Sequence, residues 1–141
     1  MLWQGYPMSN IPEWAAELTS PLDAKLGITL LELAPDRVIA RMPVEGNQQP
    51  LGLLHGGATG ALVESAASIA AIAHARTMGK VAVGVDLHVT HLEGVTAGAV
   101  TATATAVRLG RTVAVYRAEV RDDAGRMTAV GQLTCQLVEP R

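Results

Sequence analysis

Apolar and polar positions change their period along the chain, and each change marks an element. The apolar runs "ITLLELA" (28–34) and "RVIARMPV" (37–44) flank the turn Ala34-Pro35-Asp36 and predict a hairpin of two strands. Gly46 to Leu54 reads as a polar loop. From Ala58 to Met78 the chain is mostly Ala, Leu, Ile and Ser, with no proline and one interior glycine, Gly60. That run predicts a helix about 30 Å long, apolar on nearly every side and therefore buried on nearly every side. After Gly79 the period drops to two. Val81, Val83, Val85, Leu87 and Val89 alternate with Ala82, Gly84, Asp86, His88 and Thr90, and "AVTATATAVRL" (99–109) repeats the alternation. "TVAVYRAEVR" and "MTAVGQLTCQLV" are joined by "DDAG", where Gly125 can take a positive φ, so the last two strands read as an antiparallel hairpin. Ahead of all this, Pro12 opens "IPEWAAEL", Ser20 can cap "SPLDAKLG" and Pro21 can start it, which makes residues 1–25 a helical extension.

The order is thus strand, strand, one long helix, four strands, with no repeat, low-complexity tract or linker to divide residues 1–141. A sheet with one apolar face and a single helix to cover it predicts an α+β domain in which an antiparallel sheet wraps around one long central helix. A chain of 141 residues buries roughly 68–70% of its unfolded surface, enough for such a core. The absence of Phe means that the core is closed by small side chains at short range. One sheet covers only half of the helix, so a dimer with sheets joined edge to edge is expected.

Charge narrows the partners. Lys+Arg 11 against Asp+Glu 13 leaves a net charge of −2, with no basic field for nucleic acid or an anionic membrane surface. The run from Ala58 to Ala73 is interrupted by Thr59, Glu64, Ser65 and Ser68, short of the ~18 unbroken apolar residues of a membrane span. A single cysteine, Cys135, and an N-terminus without a basic and apolar leader pattern point to a cytoplasmic protein.

The chemistry gathers in "QPLGLLHGGATGALVE" (49–64). A carboxylate within an apolar helix is costly unless paired or used, and no basic residue lies three or four positions from Glu64. An ion pair with Arg76 or a wet helix face would be the plain accounts of it. Ser68 lies one turn on, where its hydroxyl can bond the carboxylate or hold a water, and Ser65 lies beside it. Gly56 and Gly57 precede the helix, where free N–H groups and the positive end of the helix dipole favour negative charge. An acyl transfer develops such charge on a carbonyl oxygen.

The same stretch resembles the active-site signature of the hotdog-fold acyl-CoA thioesterases. The resembling branch holds the phenylacetate-degradation-type enzymes, the glutamate-using 4-hydroxybenzoyl-CoA thioesterase and the proofreading thioesterase of enterobactin synthesis. The likeness runs from about Leu26 to Val138. It implies a hydrolase of acyl-CoA in which Glu64 is nucleophile or general base and the Gly56 N–H is the oxyanion donor. His55 would lie by the thioester or the coenzyme, Gln49 would place substrate or water, and Ser68 would assist. The segment "RLGRTVAVY" matches the part that runs past the coenzyme phosphates, which makes Gly110, Arg111 and Thr112 candidates for coenzyme A contact. Sites shared across a homodimer, and homodimers paired into a homotetramer, are further implications, and no cofactor beyond the coenzyme A of the substrate is needed. Leu51 after Gln-Pro, and Leu-Glu-Gly-Val after Thr90-His91, depart from the aromatic and basic residues of many relatives, so aryl, phenylacetyl and medium-chain acyl groups all remain open. The alternative is a non-catalytic module on the same fold that binds acyl-CoA or an acyl carrier.

Other constellations carry less. His88 and His91 sit three apart on a strand and so face opposite ways, which excludes a chelating pair. His91 falls where the enterobactin-type relatives have a histidine near the acyl site, and a surface histidine at a strand end is the plainer reading. No G-x-S-x-G elbow presents Ser65 or Ser68 as a nucleophile. Cys135, between Leu133 and Leu137, reads as a core position.

Overall fold

Six antiparallel strands form one sheet in the order β1-β2-β4-β5-β6-β3: β1 (Thr29–Ala34), β2 (Arg37–Pro43), β3 (Val81–His91), β4 (Ala99–Leu109), β5 (Val113–Asp122) and β6 (Met127–Val138). The structure, a computed structural model, describes residues 11–141; residues 1–10 of the expected extension lie outside the described residues. The rest of the extension is a 3-10 turn, Glu13–Glu17, behind Pro12, and a short helix α1 (Pro21–Leu26). Ser20 Oγ accepts from the Asp23 N–H at 3.2 Å, Pro21 takes the first helical position, and Gly27 ends the helix at φ 75°. Trp14 holds the 3-10 turn to the far end of the long helix, with the Arg76 guanidinium 4.2 Å over its ring.

The central helix α2 (Gly56–Arg76) packs on the inner face of the sheet against Val38, Val100, Ala102, Ala104, Tyr116 and Leu133, all fully buried. Alanines dominate its contact face, so backbone and sheet approach closely without aromatic bulk. Its most apolar 18-residue window has a mean hydropathy of 1.3, long and apolar enough to cross a membrane, and half of that window is buried in the core instead. Tyr116, the largest fully buried side chain among the described residues, donates its hydroxyl to the Pro35 carbonyl at 2.6 Å and so ties the β1–β2 turn to mid-sheet. Gly125 takes φ 84° in the β5–β6 turn, as the hairpin requires.

Three expectations are corrected. Helix α2 begins and ends two residues earlier than Ala58–Met78, so Gly56 and Gly57 are its first residues and not a preceding loop. It is not buried all round: Gly60, Ala61, Glu64, Ser65, Ser68 and Ile72 form a stripe at helical spacing that is only half-buried. The alternation in β3 also does not keep one face. Gly84 pairs with Cys135 and Asp86 with Thr134, so Val85 is an extra, bulged residue. Ala82 and Gly84 pair with the buried Leu137 and Cys135 ahead of the bulge; after it, Leu87 and Val89 are the inward residues, paired with Leu133 and Gly131.

Candidate active site

The helix starts early because His55 caps it. Its Nδ1 accepts from the Gly57 N–H at 2.8 Å, and its carbonyl accepts from Ala58 and Thr59 at 3.0 and 3.2 Å. With Nδ1 accepting, a neutral ring carries its proton on Nε2. A Cβ on Gly57 would lie 3.0 Å from that ring, a tight contact that the imidazole would have to yield to. Among the described residues the Gly56 N–H meets no acceptor, and it stands at the positive end of a 21-residue helix. His91 is exposed at the end of β3, as the plainer reading expected, and its Nε2 lies 3.0 Å from where a Gly56 Cβ would stand, beside the helix start. His88 pairs with Gln132 further back on the strand.

The loop before the helix is held from within. Asn47 is buried, and its Nδ2 donates to the Leu26 carbonyl at 2.7 Å and the Pro43 carbonyl at 2.8 Å, while its own carbonyl accepts from the His55 N–H at 2.9 Å. The Asn47 side chain thereby ties the end of α1 to the end of β2, and its backbone carbonyl holds the segment that starts α2. Gln49 Oε1 takes the N–H groups of Leu51 and Leu53, which leaves the amide NH2 for a cavity of about 290 Å³ that Gln49 lines with Leu54, Gly56, Thr59, His91 and Val95.

Glu64 sits in the half-buried stripe, two turns into α2. Its carboxylate points at β3, with Oε1 2.5 Å from the place a Gly84 Cβ would take. Loss of water against this wall raises its pKa above the ordinary glutamate range. Cys135 is fully buried, and burial first, then the Glu64 charge, pushes its thiol up to about 11, so it is an inert core residue. No hydrogen bond from the described residues occupies the Glu64 carboxylate. Arg76, stacked on Trp14, does not pair with it. Neither serine does either: Ser65 Oγ donates to Asp23 Oδ1 of α1 at 2.6 Å, and the expected bond between Ser68 and Glu64 is absent, with Ser68 half-buried one turn on.

The expected residues therefore fall into three groups. His55, Gly56 and Gln49 gather at the helix start. Glu64 and Ser68 lie further along it, and eight residues of helix at 1.5 Å each set Glu64 about 12 Å from Gly56. Gly110, Arg111 and Thr112 lie at the other end, in the β4–β5 turn: the Gly110 carbonyl accepts from His74 Nε2 at 2.7 Å and the Arg111 carbonyl from Lys80 Nζ at 2.6 Å. His74 must carry its proton on Nε2 to make that bond. Asn47, Asp23 and Gly84 are structural partners of the site that sequence reasoning passed over. Gly84 had a visible signal, a glycine inside a strand pattern, which often marks a bulge or a close approach.

Comparison with known proteins places the chain. The family model described as "Thioesterase superfamily" matches residues 51–129. A candidate esterase of Deinococcus radiodurans is 46% identical over 121 residues, covering 86% of this chain and 76% of its own. Among solved structures, thioesterase HI1161 from Haemophilus influenzae superposes with a TM-score of 0.79 at 32% identity, over 99% of this chain and 96% of that one. A mutant of thioesterase PA1618 from Pseudomonas aeruginosa gives 0.83 at 33% identity, over 98% and 99%. The chain belongs to the thioesterase superfamily. It has the hotdog fold, and it is a thioester hydrolase.

Proposed function

We propose that the thioester it cleaves is an acyl-CoA of the aryl, phenylacetyl or medium-chain class, giving a free acid and coenzyme A with no metal or redox cofactor. The observation that carries this reading is one helix bearing an unoccupied Gly56 N–H at its positive end and an unoccupied, half-buried carboxylate two turns on. The Gly56 N–H takes the charge that develops on the thioester oxygen, an interaction worth on the order of 10²–10³ in rate. Glu64 then acts in one of two ways. It attacks the carbonyl carbon, expelling the CoA thiolate and leaving an anhydride that water opens, or it takes a proton from the water that attacks directly. His55 and Gln49 hold the thioester and the water, and Ser68 assists the acid. Gly110, Arg111 and Thr112 face the coenzyme phosphates, with Lys80 and His74 bracing their turn.

A separation of about 12 Å keeps Gly56 and Glu64 of one chain from sharing one carbonyl carbon. The half-buried stripe of α2 and the exposed Val81, Val83, Val85 and Leu87 of the edge strand support a homodimer joined along β3, in which Gly56 of one copy meets Glu64 of the other. Family resemblance extends this to a homotetramer of the phenylacetate-degradation-type or glutamate-using 4-hydroxybenzoyl-CoA branch. The whole chain then works as one cytoplasmic unit that binds neither nucleic acid nor membrane.

The test is release of thiol from aryl-, phenylacetyl- and medium-chain acyl-CoAs by the wild type and by Glu64→Gln. At least one substrate is expected to turn over, with the variant reduced by about 10²–10⁴. Undiminished turnover in the variant overturns the role of Glu64; binding of every acyl-CoA without hydrolysis overturns the reading in favour of a non-catalytic module.

A further inference from the structure

We infer that Gly84 is a positioning residue: the edge strand leaves out a side chain at this one point so that the Glu64 carboxylate can seat against its backbone. Three observations bear on it. A Cβ on Gly84 would stand 2.5 Å from Glu64 Oε1, inside contact distance, and 3.3 Å from Glu64 Cδ, a tight contact. Leu133 Cδ1, 3.4 Å from the same point, is in ordinary van der Waals contact, so the group that must give way to the methyl is the far end of the Glu64 side chain. The bulge falls immediately after the glycine. It takes Val85 out of register with β6 and returns Leu87 to the inward face beside Gly60, with Leu87 Cδ2 4.0 Å from where a Gly60 Cβ would be. Between Ala82 and Leu87 the inner face of β3 is therefore a notch one carboxylate wide. An ordinary period-two strand would put a side chain there.

The notch does two things to the acid. It fixes the direction of the carboxylate while contributing no hydrogen bond to it, so both oxygens stay free for carbon or water. The acid stays partly out of water there, and that desolvation raises its pKa. The catalytic half of this inference rests on the function proposed above. The steric half does not.

The experiment uses Gly84→Ala, Glu64→Asp, Glu64→Ala and their combinations in the full-length protein. Gly84→Ala is expected to lower kcat roughly 100-fold, the effect of misplacing a reacting group by about 1 Å, with KM little changed. The acid limb of its kcat/KM profile moves to lower pH, since a carboxylate pushed out of the notch regains water. Aspartate, one methylene shorter, fits under the new methyl. Glu64→Asp therefore impairs the wild type yet improves the Gly84→Ala background. Melting gives a readout independent of catalysis: Gly84→Ala lowers Tm while Glu64 is present and does not when residue 64 is alanine. An equal drop in Tm in both backgrounds, or full activity in Gly84→Ala, overturns the inference. If Gly84→Ala does not fold, the inference requires Gly84→Ala/Glu64→Asp to recover folding, and failure to do so overturns it. Full turnover by Glu64→Ala alongside the predicted coupling in Tm would overturn the proposed function and leave the seat intact.

Discussion

The two edges of the sheet are built differently. β1 is six residues long, is bulged between Leu30 and Glu32, and exposes no large apolar side chain. β3 is eleven residues long and leaves Val81, Val83, Val85 and Leu87 between 43% and 59% exposed. A short, bulged edge resists further pairing, whereas a long apolar one invites it. The flanks of α2 follow the same division. On the β1 side, α1 is latched to the helix and its leading loop by the Ser65–Asp23 bond and by the Asn47 bond to the Leu26 carbonyl. On the β3 side, Glu64 has the notch at Gly84 against it and no hydrogen-bonding partner among the described residues. The contrast teaches that one flank is finished within the chain and the other is left open, the flank at which the proposed homodimer would join.

The largest way to break this comparison is to charge the open edge. Val81→Lys/Val83→Lys is expected to yield a monomer in sedimentation velocity, with thioester hydrolysis down about 100-fold or more because clamp and acid no longer share a substrate. A lysine at Thr29, on the closed edge, leaves both properties unchanged. A dimeric, active double variant would erase the functional difference between the edges.

The closed flank is probed by Asn47→Ala, which loses two buried hydrogen bonds. Urea unfolding should report a loss of about 2 kcal/mol. Turnover falls less than in the edge variant, and through kcat, because the His55–Gly56 segment loosens. A variant as stable as the wild type would mean that the loop is held by its backbone bonds alone.

The smallest effect lies in pH. With its pKa raised by desolvation, Glu64 loses its reactive, ionised form as pH falls through a value above the usual ~4.3, so the acid limb of kcat/KM sits above that of an exposed glutamate. The linkage has the opposite sign from that of a salt-bridged acid: the folded state binds this proton more tightly than the unfolded chain, so ionisation destabilises the fold. Glu64→Gln should accordingly gain slightly in Tm at neutral pH, a gain that disappears as pH drops through the raised pKa.

Local signals carried much of this far into the sequence. The long helix, the hairpins at Pro35 and Gly125 and the strands from Val81 onward follow from periodicity and turn chemistry, and the family motif set Gly56 and Glu64 apart. What escaped depends on pairing across the chain. The bulge at Val85 exists only relative to the register of β6, and a strict alternation of valines conceals it. The cap at His55 was missed because histidine is not a usual cap residue, so the glycines read as loop. Ser65 looked like an accessory to its neighbour Glu64, but a helix turns by about 100° per residue, and it faces α1 instead.

The spacing of Gly56 and Glu64 also makes α2 a ruler that cannot be recut by single residues. Deleting one residue between them shortens the span by only about 1.5 Å but swings the acid about 100° around the axis, out of the notch and away from the open flank. A change of about seven residues restores the angle to within about 20° but alters the span by about 10 Å, so no length change between them keeps both. Length variation in such a chain belongs in the turns beyond the sheet, at Asp122–Gly125 for instance, where one residue more or less alters neither the angle nor the reach of the acid.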